Sequence, residues 1–242
     1  MKLAIISDIH GNLDAFRQVL KDIEASGINS VVCLGDNVGY GPEPEQVIRQ
    51  VRERNIPCVM GNHERAALDG KHLNWFNPAA RKSLQKTVTL LSEESFKYIR
   101  GMKSSLVIYE SRFVHGFPPD SMDKYLFQAS KDTLKQTFSE MKERLCFVGH
   151  THELKLIGFD GKESQHISLQ KATVKHLHKD RKYIVNVGSV GQPRDGNNNA
   201  KYVIWNSSED SLEVRFIPYD IAAVVSKIMA AGLPKVHADR LW

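Results

Sequence analysis

Asp8-Ile9-His10, Gly35-Asp36, Gly61-Asn62-His63-Glu64, Val114-His115-Gly116 and Gly149-His150-Thr151-His152 place carboxylates, imidazoles and an amide at five points along the chain. Each follows a short apolar run, as in Leu3-Ala4-Ile5-Ile6 before the first and Leu145-Cys146-Phe147-Val148 before the last. Mixed carboxylate, imidazole and amide ligands suit borderline divalent ions such as Mn, Fe, Zn, Co or Ni, whereas an all-oxygen set would suit Mg or Ca. Manganese or iron is the first expectation. Two such ions about 4 Å apart can bind a bridging hydroxide of lowered pKa and neutralise phosphoryl oxygens during in-line attack, so that no side-chain nucleophile is required. The D-x-H and H-x-H spacings put both side chains on one face of an extended segment, within reach of a common site. One such motif is common in loops. Five in succession, each closing an apolar strand, are not.

The elements that must position these groups alternate over the first third of the chain. Residues 2 to 6 read as a strand, and Leu13, Phe16, Val19, Leu20 and Ile23 then recur at helical spacing until Gly27. Strands at 30 to 34 and 56 to 60 flank a helix bearing Val47, Ile48 and Val51, which gives βαβαβ and a parallel sheet. Ligand sites of open α/β sheets lie at the carboxyl ends of their strands, so the first three clusters are expected on one edge. Residues 65 to 103 carry no strand signal and read as a helical insertion. Short strands follow at 106 to 109, 112 to 115 and 145 to 148. Strands at 154 to 159, 173 to 178, 183 to 188, 201 to 206 and 212 to 218 imply a second sheet, and Asp220 caps a last helix ending at Gly232-Leu233-Pro234.

A chain of 242 residues with 41% apolar and 25% charged residues has the composition of a globular protein, and a single domain spanning 1 to 242 is expected. The net charge of +5 is spread along the chain, which suits an anionic substrate and carries no strong nucleic-acid signal. With no signal peptide and no membrane-spanning stretch in view, a soluble cytoplasmic protein is expected, and Cys33, Cys58 and Cys146 read as buried, reduced thiols.

In their order, D-x-H, G-D, G-N-H-E, a lone His before Gly and G-H-x-H resemble the calcineurin-like metallophosphoesterase superfamily over residues 3 to 152. The resemblance implies a four-layer α/β/β/α sandwich of two mixed sheets. It implies one metal held by Asp8, His10, Asp36 and His152 and another by Asp36, Asn62, His115 and His150, with Asp36 bridging. It also makes His63 the general acid that protonates the leaving oxygen, a task its near-neutral pKa suits.

Where Ser/Thr protein phosphatases continue the second motif with an acidic or amide residue and a phosphate-gripping Arg, this chain has Gly39 and Tyr40. His63 would then lack an acidic partner. Arg194, in Gly188-Ser189-Val190-Gly191-Gln192-Pro193-Arg194-Asp195-Gly196, is the candidate replacement cation, or else a solvated arginine of a structural turn. That stretch and Gly35-Asp36-Asn37-Val38-Gly39-Tyr40-Gly41-Pro42 resemble a bacterial subgroup of small phosphodiesterase-like members, some of which cleave dinucleoside polyphosphates. The expectation is a binuclear hydrolase of phosphodiester or phosphoanhydride bonds, with a phosphorylated small molecule or nucleotide as substrate, Tyr40 stacking on a base and Arg194 on a distal phosphate. The alternatives are a phosphoprotein phosphatase and a non-catalytic scaffold of the same fold. His72, His166, His176, His178 and His237 fit no motif and read as surface or fold residues, and Trp75, Phe76, Trp205 and Trp242 as packing.

Overall fold

The computed structural model describes residues 1–169 and 174–242. Strand β1 (Lys2–Ile6), helix α1 (Leu13–Ala25), strand β2 (Ser30–Cys33) and helix α2 (Pro44–Glu53) open the chain. The helical segment follows as α3 (Asn62–Leu68), a 3-10 turn (Gly70–Trp75), α4 (Pro78–Val88) and α5 (Glu93–Arg100). Asn77 and Ser92 start the last two by accepting backbone N–H bonds from Ala80 and Ser95. Strands β3 (Ser105–Ile108) and β4 (Ser111–Val114), helix α6 (Lys131–Glu140) and strand β5 (Leu145–Val148) come next. The remainder is β6 (Leu154–Phe159), β7 (Ser164–Ile167), β8 (Val174–His176), β9 (Lys182–Val187), β10 (Ala200–Asn206), β11 (Ser211–Ile217), α7 (Ile221–Ala230) and α8 (Lys235–Asp239).

Two mixed sheets result, in the orders β2-β1-β10-β11-β8 and β3-β4-β5-β9-β6-β7. Alternation along the strands sets the layers. Leu3 and Ile5 of β1 and Leu145 and Phe147 of β5 share one core between the sheets, with Val185, Val203 and Trp205. Ala4 and Ile6 face the other way onto Phe16, Val19 and Leu20 of α1, and Cys146 and Val148 onto Leu134 and Phe138 of α6. The order helix, sheet, sheet, helix is the expected sandwich.

Three expectations need correction. The run at 56 to 60 forms only isolated bridges, Cys33 to Cys58 and Val59 to Lys103, because Pro57 has no N–H to contribute to a ladder. The strands after residue 153 do not build a sheet of their own: β6, β7 and β9 extend the β4–β5 sheet, while β8, β10 and β11 extend that of β1. The strand expected at 173 to 178 is seen as Val174–His176, and residue 173 lies outside the described residues.

Candidate active site

Within each sheet the strands feeding the clusters run parallel, β1 with β2 and β4 with β5 and β9, so their carboxyl ends open on one edge. The loops are laced together there. Asp8 N–H donates to Gly35 O at 3.0 Å, His10 N–H to Asp36 O at 2.9 Å, and Gly191 N–H to Asp8 O at 2.9 Å. His150 N–H crosses to Asp8 Oδ2 at 3.0 Å and joins the two sheets at the site. The D-x-H and H-x-H segments are not extended as expected: Asp8, His10, Asp36, Tyr40, His150 and His152 all have positive φ between 49° and 68°. Left-handed backbone costs a non-glycine residue about 1–2 kcal/mol, and its concentration here is strain held in place by the surrounding bonds. Glu64 supplies several of those bonds, its carboxylate accepting N–H from Asp36, Asn37 and Gly61 at 2.8, 2.6 and 3.0 Å.

Four imidazoles have their tautomers fixed by backbone carbonyls, which can only accept. His10 Nδ1 donates to Val38 O at 2.9 Å, His152 Nδ1 to Gln192 O at 2.6 Å, His115 Nδ1 to Leu34 O at 2.8 Å and His150 Nε2 to Asp123 O at 3.1 Å. In the neutral rings the other nitrogen is then a bare lone pair. Those lone pairs face one another: His10 Nε2 and His152 Nε2 stand 3.2 Å apart, as do His115 Nε2 and His150 Nδ1. Asp8 Oδ1, buried and without a hydrogen-bond partner, lies 3.3 Å from His152 Nε2, and Asn62 Oδ1 lies 3.1 Å from His115 Nε2. Between the two groups, Asp36 Oδ2 is 3.6 Å from His10 Nε2 and 3.3 Å from His115 Nε2. Acceptors converging on acceptors need a cation between them, and this donor set suits divalent metal ions.

The electrostatics agree for three of the four rings. Burial, helped by neighbouring positive groups, holds His10 and His152 well below the usual imidazole range and His150 down to about 3, so their lone pairs stay free for a metal. His115 differs: burial resists its charge too, but the Asp36 and Asp8 carboxylates outweigh it and raise it to about 10, so a metal bound at its Nε2 would displace a proton held there by those carboxylates. Burial likewise opposes ionisation of Asp36, yet His115 and His63 together hold it well below the usual carboxylate range. Asp8 is pushed up to about 6, chiefly by burial.

A cleft of about 330 Å³ opens over this group, with Asp36, Tyr40, Asn62, His63, His150 and Arg194 among its walls. His63 heads α3, its N–H held by Asp36 Oδ1 at 2.9 Å and its ring edge-on to Phe76 at 4.7 Å. Its Nδ1 is buried without a partner, for it lies against Gly39 (φ +83°), where a Cβ would collide with it. Burial pushes His63 down to about 4.

Tyr40 reaches the cleft, but not as a stacking platform. Its ring is 7% exposed and packs against His10 at 4.3 Å and His237 at 4.6 Å, so its faces are occupied. Arg194 is exposed, with its guanidinium 5.8 Å from the Tyr40 ring and bonded to Gln192 Oε1 at 3.1 Å. The loop behind it is tied down by buried Lys201, whose Nζ meets Asp195 at 2.7 Å and the Asn199 carbonyl at 3.3 Å.

Several contributors escape the motifs. Tyr125 stacks on His150 at 3.9 Å, Asp123 orients it, and both line the cleft. They sit in a loop with no periodicity to mark them. His237 is 1% exposed and belongs to the fold behind Tyr40, whereas His166 and His176 are exposed as expected. Trp205 and Phe76 pack as expected, but Trp75 and Trp242 are 72% and 64% exposed. The three cysteines are buried and free.

Comparison with known proteins agrees with this geometry. The family model of the calcineurin-like phosphoesterase superfamily domain matches residues 1–210. An uncharacterized protein of Methanocaldococcus jannaschii is 35% identical over 99% of this chain and 97% of its own. The crystal structure of a metallophosphoesterase from Sphaerobacter thermophilus is 32% identical, covers 100% of this chain and 98% of that one, and superposes with a TM-score of 0.83. A hypothetical protein of Pyrococcus horikoshii shares the fold, with a TM-score of 0.80 at 18% identity over 100% of this chain and 97% of its own.

Proposed function

The chain belongs to the calcineurin-like phosphoesterase superfamily and is a metal-dependent phosphoester hydrolase, and from that premise we propose that it cleaves phosphodiester or phosphoanhydride bonds, dinucleoside polyphosphates among them, at a two-metal site. Asp8, His10, Asp36 and His152 would hold one ion and Asp36, Asn62, His115 and His150 the other, and the whole chain acts as one domain. The carrying observation is the two pairs of facing imidazole lone pairs, joined through Asp36 Oδ2. Bound there, a pair of divalent cations supplies an activated water and neutralises phosphoryl charge. The chain's own residues do the rest. His63, at the cleft wall, donates the proton to the departing oxygen; an incoming phosphate anion offsets the burial that otherwise holds its pKa near 4. Arg194 pairs with a phosphate beyond the reacting one. With Gly39 and Tyr40 in the second motif, and the Tyr40 ring enclosed, nothing clamps a monoester dianion there in the protein-phosphatase manner.

Elemental analysis after reconstitution with Mn, Fe, Zn, Co or Ni tests the first half: about two ions per chain are expected, and protein that binds none and stays inactive overturns it. Paired kinetics at one fixed metal test the second. Diadenosine polyphosphates or bis(p-nitrophenyl) phosphate should show a higher kcat/KM than p-nitrophenyl phosphate or a phosphopeptide, and the reverse ranking makes the protein a phosphomonoesterase.

A further inference from the structure

The cleft continues past the acidic and imidazole groups to a wall made by Trp75, Phe76 and Asn77. Phosphate alone would fill a small part of its volume of about 330 Å³. Phe76 is spent on His63, and the Tyr40 ring is enclosed. Trp75 is different. It is 72% exposed, the most exposed large apolar side chain among the described residues, yet it is braced: the Arg65 guanidinium lies 5.8 Å from its ring and His72 meets it edge-on at 5.9 Å. Arg65 is itself ion-paired to Asp123, which also lines the cleft and whose carbonyl orients His150. The indole is thus fixed relative to the site and keeps exposed surface at the cleft.

Beside it, Asn77 spends its Oδ1 on the Ala80 N–H and has no partner for its amide N–H groups among the described residues. An aromatic face next to an amide donor is the pairing that recognises a nucleobase, by stacking and by a hydrogen bond to its ring nitrogens or carbonyl oxygens. A simple alkyl group would use neither.

Resting on the phosphoester reading above, we infer that Trp75 and Asn77 form a nucleobase subsite, so that the organic part of the substrate is a nucleoside whose base stacks on Trp75. This moves base recognition from the second motif to the helical segment between the third and fourth motifs.

The test is calorimetric binding to the metal-reconstituted full chain of adenosine 5′-monophosphate, ribose 5-phosphate and inorganic phosphate, with wild type, Trp75→Ala and Trp75→Phe. Wild type should bind adenosine 5′-monophosphate roughly tenfold more tightly than ribose 5-phosphate. Trp75→Ala should abolish that preference and leave ribose 5-phosphate unchanged, while Trp75→Phe keeps most of it. Quenching of indole fluorescence by adenosine 5′-monophosphate should vanish in both variants, which retain Trp205 and Trp242. Equal affinity for the two sugar phosphates in wild type, or a preference that survives Trp75→Ala, overturns the subsite alone. Failure of all three ligands to bind overturns the subsite, and the phosphoester reading falls with it if the same preparation also fails to hydrolyse bis(p-nitrophenyl) phosphate.

Discussion

The unpartnered Nδ1 of His63 rests against the α-carbon of Gly39, the one residue type that leaves room for the ring. A side chain at position 39 both collides with the imidazole and must adopt φ +83°. Gly39→Ala should therefore displace His63 and reproduce the signature of His63→Ala. That signature is selective: alkyl phosphoesters, whose leaving group needs a proton, should slow by roughly 10²–10⁴, and p-nitrophenyl esters far less, at unchanged metal content. Steady-state kinetics over a leaving-group series, with elemental analysis of each variant, checks it. A uniform loss across the series assigns His63 to binding or metal support instead.

Asp36 Oδ2 lies between the two histidine pairs, 3.6 Å from His10 Nε2 and 3.3 Å from His115 Nε2, whereas His10 Nε2 stands on one side of it, 3.2 Å from His152 Nε2 and 3.8 Å from Asp8 Oδ1. Asp36→Asn should weaken retention of both ions and His10→Ala of one. Metal titration should give about one ion per chain for His10→Ala and fewer for Asp36→Asn, with a larger loss of kcat in the latter. Equal and mild losses would show that Asp36 does not bridge.

How far the sequence could reveal this site follows from what local pattern encodes. Asp8, Asp36, His115 and His150 were legible because each closes an apolar strand, and parallel strands bring such ends to one edge. The left-handed backbone was not legible: it is imposed by bonds between loops distant in sequence, such as those that Glu64 makes to Asp36 and Asn37. β7 was missed because Ser164-Gln165-His166-Ile167 is a polar edge strand with no apolar run to announce it. The interleaving of the two sheets depends on long-range pairing, β10 beside β1 and β9 beside β5, to which periodicity is blind. Tyr40 looked like a stacking surface in isolation. It is enclosed because α8 brings His237 onto it, a contact between residues nearly two hundred apart.

The Arg194 loop, which continues into Asn197-Asn198-Asn199, is anchored by the buried ammonium of Lys201. Arg194→Ala should raise KM for a dinucleoside polyphosphate by about 10- to 100-fold, the worth of one charge-assisted phosphate contact, and hardly change KM for bis(p-nitrophenyl) phosphate, which does not extend to that side chain. Lys201→Met removes the ammonium that Asp195 and the Asn199 carbonyl share, should cost about 1.5–3 kcal/mol of stability, and should raise the same KM through the loop. Kinetics on both substrates and urea denaturation of both variants check this. A KM effect of Arg194→Ala that is equal for the two substrates would remove the distal-phosphate role.

His237 makes the stability of this corner depend on pH. Its ring is 1% exposed, packed on Tyr40, with Nε2 donating to Ala79 O at 3.3 Å and Nδ1 buried without a partner. Burial, aided by the charges of Arg240 and Arg194, pushes its pKa down to about 4 against the Ala79 bond, which favours the cation. In the unfolded chain the same imidazole titrates near about 6.5. Between those values the unfolded chain holds a proton that the folded chain does not, so acidification favours unfolding: stability due to this residue is full above about pH 6.5 and is lost as the pH falls toward 4. His237→Gln removes the titration and also the ring contact with Tyr40, so the variant is expected to be less stable at pH 7. The gap between it and wild type should narrow by about 2 kcal/mol on going from pH 7 to pH 5. Groups that His237 does not influence cancel in that difference; His63, which its charge lowers only as the last of several causes, contributes little. Urea denaturation of the two proteins at both pH values provides the measurement; a gap that stays constant would mean that His237 is protonated in the folded chain already, or that the ring gains solvent at no cost.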